Sequence, residues 1–252
     1  MDNENEGIEM LNLYFDEIKA TIEKVTKQEQ VQLLKAAEQI SQCIQANGIV
    51  HLFGCGHSHL LTEEVFYRAG GLAPIHPILI EELMLHKGAA RSSQLERKND
   101  FAKTFMDSQD IRKGDVFIVI STSGLNPVPI DAAIIAKEKG AYVIGLTSLD
   151  YSKTLPSRHT SGQYLYDVVD LVIDNHAPKG DALLTYEALP VKFGSGSTII
   201  GATILNSIFV KAIQSMADHG FEPPIFLSGN IENADEHNKQ LIKKYKERIP
   251  FL

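Results

Sequence analysis

The sequence predicts an α/β protein built as a three-layer sandwich: a parallel five-stranded sheet with helices on both faces, preceded by two N-terminal helices. Three observations lead there. From residue 49 onward, short apolar runs alternate with helical stretches, a pattern that implies parallel pairing through right-handed crossovers. The runs are apolar throughout instead of alternating, as strands covered on both faces must be. Two stretches with helical apolar spacing come before the first run.

In the first helix, Leu11, Phe15, Ile18, Ile22 and Val25 recur at spacings of four and three and make one apolar stripe. The second repeats this with Leu33, Ala37, Ile40 and Ile44 and stops at Asn47-Gly48. These stripes pack either on the body of the protein or against a second subunit. Ile49–Phe53 then reads as a buried strand, followed by a helix from about Ser58 to Ala69. Ala73–Ile80 reads as the second strand and Val116–Ile120 as the third, with a helix over Pro127–Lys139. Ala141–Leu146 is the fourth strand and Leu171–Ile173 a short fifth. Glu81–Asp110 is long and polar, a loop plus a surface helix. Asp174–Ser197 is also long and punctuated by Gly and Pro, and loops of that length are often functional, as lids are. An apolar helix over about Thr198–Ala217 and a charged one over Glu232–Lys246 close the chain. No repeat, low-complexity tract or linker divides it. The reading is one domain over 1–252, with a helical pair at 1–48, the α/β core at 49–217 and a helical tail at 218–252.

Composition narrows the function. Hydrophobic residues at 44% and charged residues at 22% fit a soluble globular chain of 252 residues. A net charge of −8 argues against nucleic acid as a partner, which needs clustered Lys and Arg to replace counterions. It also means that a bound phosphate must be held by local donors. Cys43 and Cys55 cannot make a disulfide framework and suit a reducing cytoplasm. Residues 1–7 are acidic and polar, unlike a secretory leader. The longest apolar stretch, Ile199–Ile213, is interrupted by Gly201, Asn206, Ser207 and Lys211, which argues against a membrane span. The expected location is cytoplasmic, with no membrane partner.

Two turns carry the chemistry. Gly54-Cys55-Gly56-His57-Ser58 follows the first strand and opens a helix, where backbone N–H groups and the helix dipole favour an anion. A dinucleotide fingerprint needs a third glycine at position 59, where this chain has His59. Ser58 is placed to bond either the helix amides or a ligand. After the third strand comes Ile120-Ser121-Thr122-Ser123-Gly124-Leu125-Asn126-Pro127: three consecutive hydroxyls, then Asn126 as a good N-cap and Pro127 as a good first helical residue. Hydroxyls beside a free helix N-terminus make a phosphate cradle without a Lys. Thr147-Ser148 ends the fourth strand in the same way, at the sheet edge where open α/β sheets bind ligands.

These turns together, with Gly194-Ser195-Gly196-Ser197-Thr198 as a weaker match, resemble the sugar isomerase (SIS) domain family over about Gly48–Ala217. The family includes phosphoheptose isomerase, the isomerase domain of glucosamine-6-phosphate synthase, N-acetylmuramic acid 6-phosphate etherase and sugar-sensing regulators. The chain looks most like a stand-alone group within it. The resemblance implies a flavodoxin-like parallel sheet, a homodimer or higher homo-oligomer with sites near the interface, and a phosphorylated sugar as ligand, with no cofactor. It assigns the sugar phosphate or sugar hydroxyls to Ser58, Ser121, Thr122 and Ser123, and the positions of the turns add Gly56, His57, Asn126, Thr147, Ser148 and Ser197 as candidate substrate contacts. The chain departs from the family pattern at Asn126, where Ser or Thr is usual. It departs again at Arg68, where an ungapped reading puts the carboxylate of the isomerases and etherases. A third departure is Ile199-Ile200, where the etherases carry basic residues.

Aldose–ketose isomerisation needs a base and an acid near the crevice. Glu82 or Glu81 with His86, just past the second strand, are the favoured catalytic candidates. Glu63, Glu64, Asp181 and Glu187 are the others. His51 reads as a packing histidine. His57 with His59 and a carboxylate lacks the spacing of a zinc motif, so no metal is expected. Cys55 stands where a helix N-terminus could stabilise a thiolate, though no partner base is evident. The expected activity is a phosphosugar isomerase. The alternatives are a non-catalytic phosphosugar sensor and a phosphosugar etherase or lyase.

Overall fold

Strand β3 (Val116–Ile120) shows how an unbroken apolar run builds both faces of the sheet at once. Side chains alternate along a strand. Val116, Ile118 and Ile120 therefore enter one core, while Phe117 and Val119 enter the other. In the computed structural model, which describes residues 2–252 and side chains from Ile8 onward, β3 is central in a parallel sheet of order β2-β1-β3-β4-β5. The other strands are β1 (Val50–Gly54), β2 (Ile75–Ile78), β4 (Tyr142–Thr147) and β5 (Leu171–Asp174). The strand order reverses between β1 and β3, so the C-terminal ends of these two strands flank the crevice typical of such sheets.

One face is covered by α1 (Asp2–Gln28), α2 (Gln30–Gln45) and α9 (Ser197–Asp218). Ile40 and Ile44 of α2 meet Ile204 and Ile208 of α9 over Leu52, Ile118 and Ile144. By length and composition α9 could cross a bilayer, but half of its most apolar window lies inside the protein. On the other face lie α4 (Ala89–Glu96), α5 (Lys103–Met106), α6 (Pro127–Glu138) and α8 (Leu165–Val168), with α7 (Leu149–Ser152) at the end of β4. Phe105, Val128, Ile130 and Leu165 close that core over Phe53, Phe117 and Val143.

Two elements are shorter than the sequence predicts. The helix after β1 is a 3-10 turn, Gly56–His59, followed by α3 (Leu60–Glu64). It stops there because Tyr67 takes a left-handed conformation, φ +44°, and lays its ring 4.9 Å from that of Phe226. Arg68 then donates to the backbone oxygen of Glu64, closing the helix end. Strand β2 loses its first residues to the C-terminal segment: Ala73 N–H donates to Pro224 O, and Leu72 pairs antiparallel with Ile225. As an edge strand, β2 also tolerates Pro77. The tail continues through α10 (Ala234–Tyr245) to Ile249, which is buried against Ile49 and Ala73.

Candidate functional site

The ends of β1 and β3 open into a crevice of about 290 Å³. Its floor is the turn after β1 (Cys55, Gly56, His57, Ser58) and the turn after β3 (Ser121, Thr122, Ser123, Asn126). Ser93 and Glu96 of α4 stand on one side, and Asp181, Ser197 and Thr198 on the other.

Both turns are shaped by glycine. A Cβ on Gly54 would lie 2.7 Å from the backbone carbonyl of Ser58, because the 3-10 turn folds back onto the strand end. Gly124 has φ +60°, and a Cβ there would lie 2.7 Å from Thr147 Oγ1 and 2.9 Å from Ser152 Oγ. That bend brings the Ser121–Ser123 backbone around the start of α6. Gly124 N–H donates to Ser121 Oγ at 3.3 Å. Among the described residues, the hydroxyls of Ser58, Thr122 and Ser123 and the amides of Thr122 and Ser123 find no hydrogen-bond partner. Those lining the crevice include no Lys or Arg. The arrangement is an anion cradle of free hydroxyls and amides without a basic side chain, beside a twelve-residue helix N-terminus.

Residues 13–148 match the family model of the SIS domain. The chain belongs to the SIS domain family. Within it, the chain is 61% identical over 243 residues to a UPF0309 protein of Halalkalibacterium halodurans, covering 96% of this chain and 97% of that one. It is 62% identical, with the same coverage, to a UPF0309 protein of Geobacillus kaustophilus. The fold is similar to the phosphoheptose isomerases of Neisseria gonorrhoeae (TM-score 0.52, 18% identity) and Francisella tularensis (TM-score 0.53, 16% identity). Each comparison covers 82% of this chain and 98% of the other.

The SIS crevice gathers Gly56, His57, Ser58, Ser121, Thr122, Ser123, Asn126 and Ser197, but several of these side chains are already engaged. Asn126 has the extended backbone of an N-cap, φ −87° and ψ 145°, yet its side chain does not cap α6. It donates from Nδ2 to Glu96 (2.9 Å) and accepts from Arg158 at Oδ1 (2.8 Å). Ser197 donates its hydroxyl to Asp181 Oδ2 (2.7 Å), while Asp181 Oδ1 accepts the amides of Gly196 and Ser197. An internal carboxylate thus fills the α9 N-terminus. Thr147 and Ser148 are fully buried behind the second turn and do not line the crevice. Thr147 Oγ1 (3.3 Å) and the Ser148 amide (2.9 Å) both donate to Thr122 O and brace the turn from below, while Ser148 Oγ donates to Ala177 O (2.7 Å).

Glu81, Glu82 and His86 do not reach the crevice. Past β2 the chain enters 3-10 turns at Glu81–Leu83 and Leu85–Lys87, which bury Leu83 and turn the three polar side chains outward. Glu81 and Glu82 line a separate surface hollow with Arg91 and Phe101. Glu81 pairs with Lys87 at 2.8 Å, and that hydrogen bond lowers its carboxyl below the usual range. Leu85 is the residue of this segment that faces the crevice. Glu63, Glu64 and Glu187 also lie outside it.

The carboxyl the crevice does hold, besides Asp181, is Glu96. Burial pushes it above the usual range, while the Asn126 hydrogen bond and then Arg97 and Arg158 pull the other way. Sequence reasoning missed Glu96 because it lies in the polar stretch read as loop and surface helix, and no local pattern marks it. Cys55 is buried. That burial, followed by the charge of Glu96, pushes its thiol well up, the reverse of an activated thiolate. His51 is fully buried and bonds His76 (2.9 Å) and Asp115 (3.2 Å). His57 is exposed on the crevice rim, whereas His59 turns its Nδ1 back to Gly56 O.

Proposed function

We propose that this SIS-domain protein binds a phosphorylated sugar in the crevice and moves a proton between neighbouring carbons of it, as an aldose–ketose phosphosugar isomerase does. The observation that carries this is the pairing of a neutral donor cradle with a half-buried carboxyl of raised proton affinity across the same crevice. In this reading Ser58, Ser121, Thr122 and Ser123, with the Thr122 and Ser123 amides, hold the phosphate. His57 and the second Nδ2 hydrogen of Asn126 meet sugar hydroxyls. Glu96 exchanges the carbon-bound proton, a task that favours a carboxyl raised toward neutrality. The likeness to two phosphoheptose isomerases supports the substrate class. A sensor would need the cradle but no placed carboxyl, and the position of Glu96 favours an enzyme.

Proton abstraction beside a carbonyl serves isomerisation and elimination alike. The test is to incubate the protein in deuterated water with phosphorylated hexoses, amino sugars and heptoses and follow the sugars by NMR. Isomerisation predicts deuterium at the carbon beside the carbonyl together with the ketose product. Loss of a substituent in place of the ketose indicates a lyase, and binding without exchange indicates a sensor.

A further inference from the structure

Arg158 lies in the exposed segment between α7 and α8, outside the crevice, and its guanidinium donates to Asn126 Oδ1 at 2.8 Å. Asn126, which is buried, donates from Nδ2 to Glu96 Oε1 at 2.9 Å. The chemistry of the three groups leaves this chain only one direction. A guanidinium carries donors and no acceptor, so the amide oxygen of Asn126 must face it. The amide nitrogen must then face Glu96.

We propose that Arg158 is a positioning residue for Glu96: by holding the oxygen of the Asn126 amide, it obliges the nitrogen to donate to the Glu96 carboxyl. Arg158 is placed for this. Its own amide donates to Leu125 O (2.9 Å), next to Asn126. His159 Nε2 is 2.9 Å from Asp131 Oδ1 on α6, and Thr160 N–H donates to Asn99 Oδ1 at 3.0 Å, beyond the end of α4. The segment is therefore pinned to α6 and to the connection that directly follows Glu96.

The consequence is electrostatic. A donor on a carboxylate favours its ionised form. Asn126 so oriented opposes the burial of Glu96. Without Arg158 the amide can turn over and present its oxygen, which would accept from a protonated Glu96 and favour the neutral form. Besides holding Asn126, Arg158 lowers Glu96 directly through its own charge. The other charged or titratable groups around Glu96 are Arg97 just past the end of α4, Cys55 after β1, and His57, Tyr151 and Asp181 on the crevice wall. None of them fixes the Asn126 amide.

This inference takes the reacting carboxyl from the function proposed above, but its test does not depend on turnover. The Glu96 carboxyl is followed by carbon NMR in protein labelled at glutamate carboxyls, with Glu96→Gln to assign the signal. The expected result is that Arg158→Ala raises the Glu96 titration midpoint by about one pH unit. Arg158→Lys, which keeps a donor and a charge, should restore most of the wild-type value, and Arg158→Gln, which keeps an amide donor without the charge, should restore part of it; an Arg158→Gln midpoint equal to that of Arg158→Ala means that charge acts alone and overturns the positioning role. If a substrate is in hand, the pH–rate limb belonging to Glu96 should move the same way. A midpoint in Arg158→Ala unchanged or lowered overturns the positioning role. Absence of turnover with every phosphosugar would sink the proposed function and leave this titration result standing by itself.

Discussion

At Glu96, burial and a directed hydrogen bond act against each other on one carboxyl, and burial prevails. Glu82, fourteen positions earlier in the chain, stands in open solvent. Glu96→Gln should lower turnover of the true substrate by about 10²–10⁴-fold, the usual worth of a general acid or base. Phosphosugar affinity measured by calorimetry should change by only a few fold. Equal loss of affinity and rate would make Glu96 a binding group instead. Outside the crevice, the histidines set acid stability. Burial lowers both His51 and His76, the latter to about 3. The native protein keeps them neutral while an unfolded chain protonates them near pH 6.5, so their stabilising contribution is present above that pH and is lost as pH falls below it. Each costs about 1.4 kcal/mol per pH unit in the window between the unfolded and folded values. Asp115 adds a loss at lower pH. Burial alone would raise its carboxyl, but hydrogen bonds from His51, Arg248 and the amides of Ile49 and Arg112 hold it far below the carboxylate range. Denaturant unfolding should therefore show stability falling from pH 6.5 to pH 5, with a shallower slope in His76→Gln. A flat profile over that interval would contradict the neutral pair.

At the scale of elements, what was legible in the sequence was local. β3 is bounded by Asp115 and Ser121 and is apolar between, so its limits could be read directly. The two glycine turns were legible for the same reason, since strand end, bend and helix start are contiguous. The end of α3 and the start of β2 were not, because both are set by Phe226, Pro224 and Ile225, about 150 residues away. Asn126 has the sequence position of a cap, but its tertiary partners Glu96 and Arg158 take the side chain instead. Glu96 was invisible because it reaches the crevice through the tertiary packing of α4 against α6 and the turns after β1 and β2. The bend at Gly124 is directly testable. Gly124→Ala adds left-handed strain and a 2.7 Å contact with Thr147 Oγ1, whereas Gly162→Ala, at φ +74°, meets nothing within 4 Å. Gly162→Ala should cost about 1 kcal/mol of unfolding free energy, and Gly124→Ala some 1–3 kcal/mol more. Equal losses would mean that the second turn yields freely and is not a rigid cradle.

Across the whole molecule, one face stands out. Ile22, Leu33, Leu34 and Ile200 line an apolar groove of about 300 Å³ between α1, α2 and α9, and the same three helices expose Leu11, Phe15, Val31, Ile199 and Val210. Ile199 directly follows Ser197 and Thr198 of the crevice, so this face borders the site. Contiguous exposed apolar surface marks association sites on folded proteins, and self-association through this face is the prediction. Sedimentation velocity at micromolar concentration should give a dimer or larger, and Phe15→Glu should shift it toward monomer. A monomeric wild type would contradict the assignment.

In the proposed function, hydroxyls and amides at the end of β3, with no basic side chain, hold a sugar phosphate. The most direct test of this is thermal unfolding of wild type and Ser123→Ala across a panel of phosphorylated hexoses, amino sugars and heptoses, each beside its unphosphorylated sugar. A ligand that binds the native state raises Tm by mass action. At least one phosphosugar should raise the wild-type Tm while its unphosphorylated form does not, and Ser123→Ala should need about five-fold or more ligand for the same shift. A panel in which no phosphosugar moves Tm at millimolar concentration, or in which Ser123→Ala responds as the wild type does, would contradict phosphate binding at this turn.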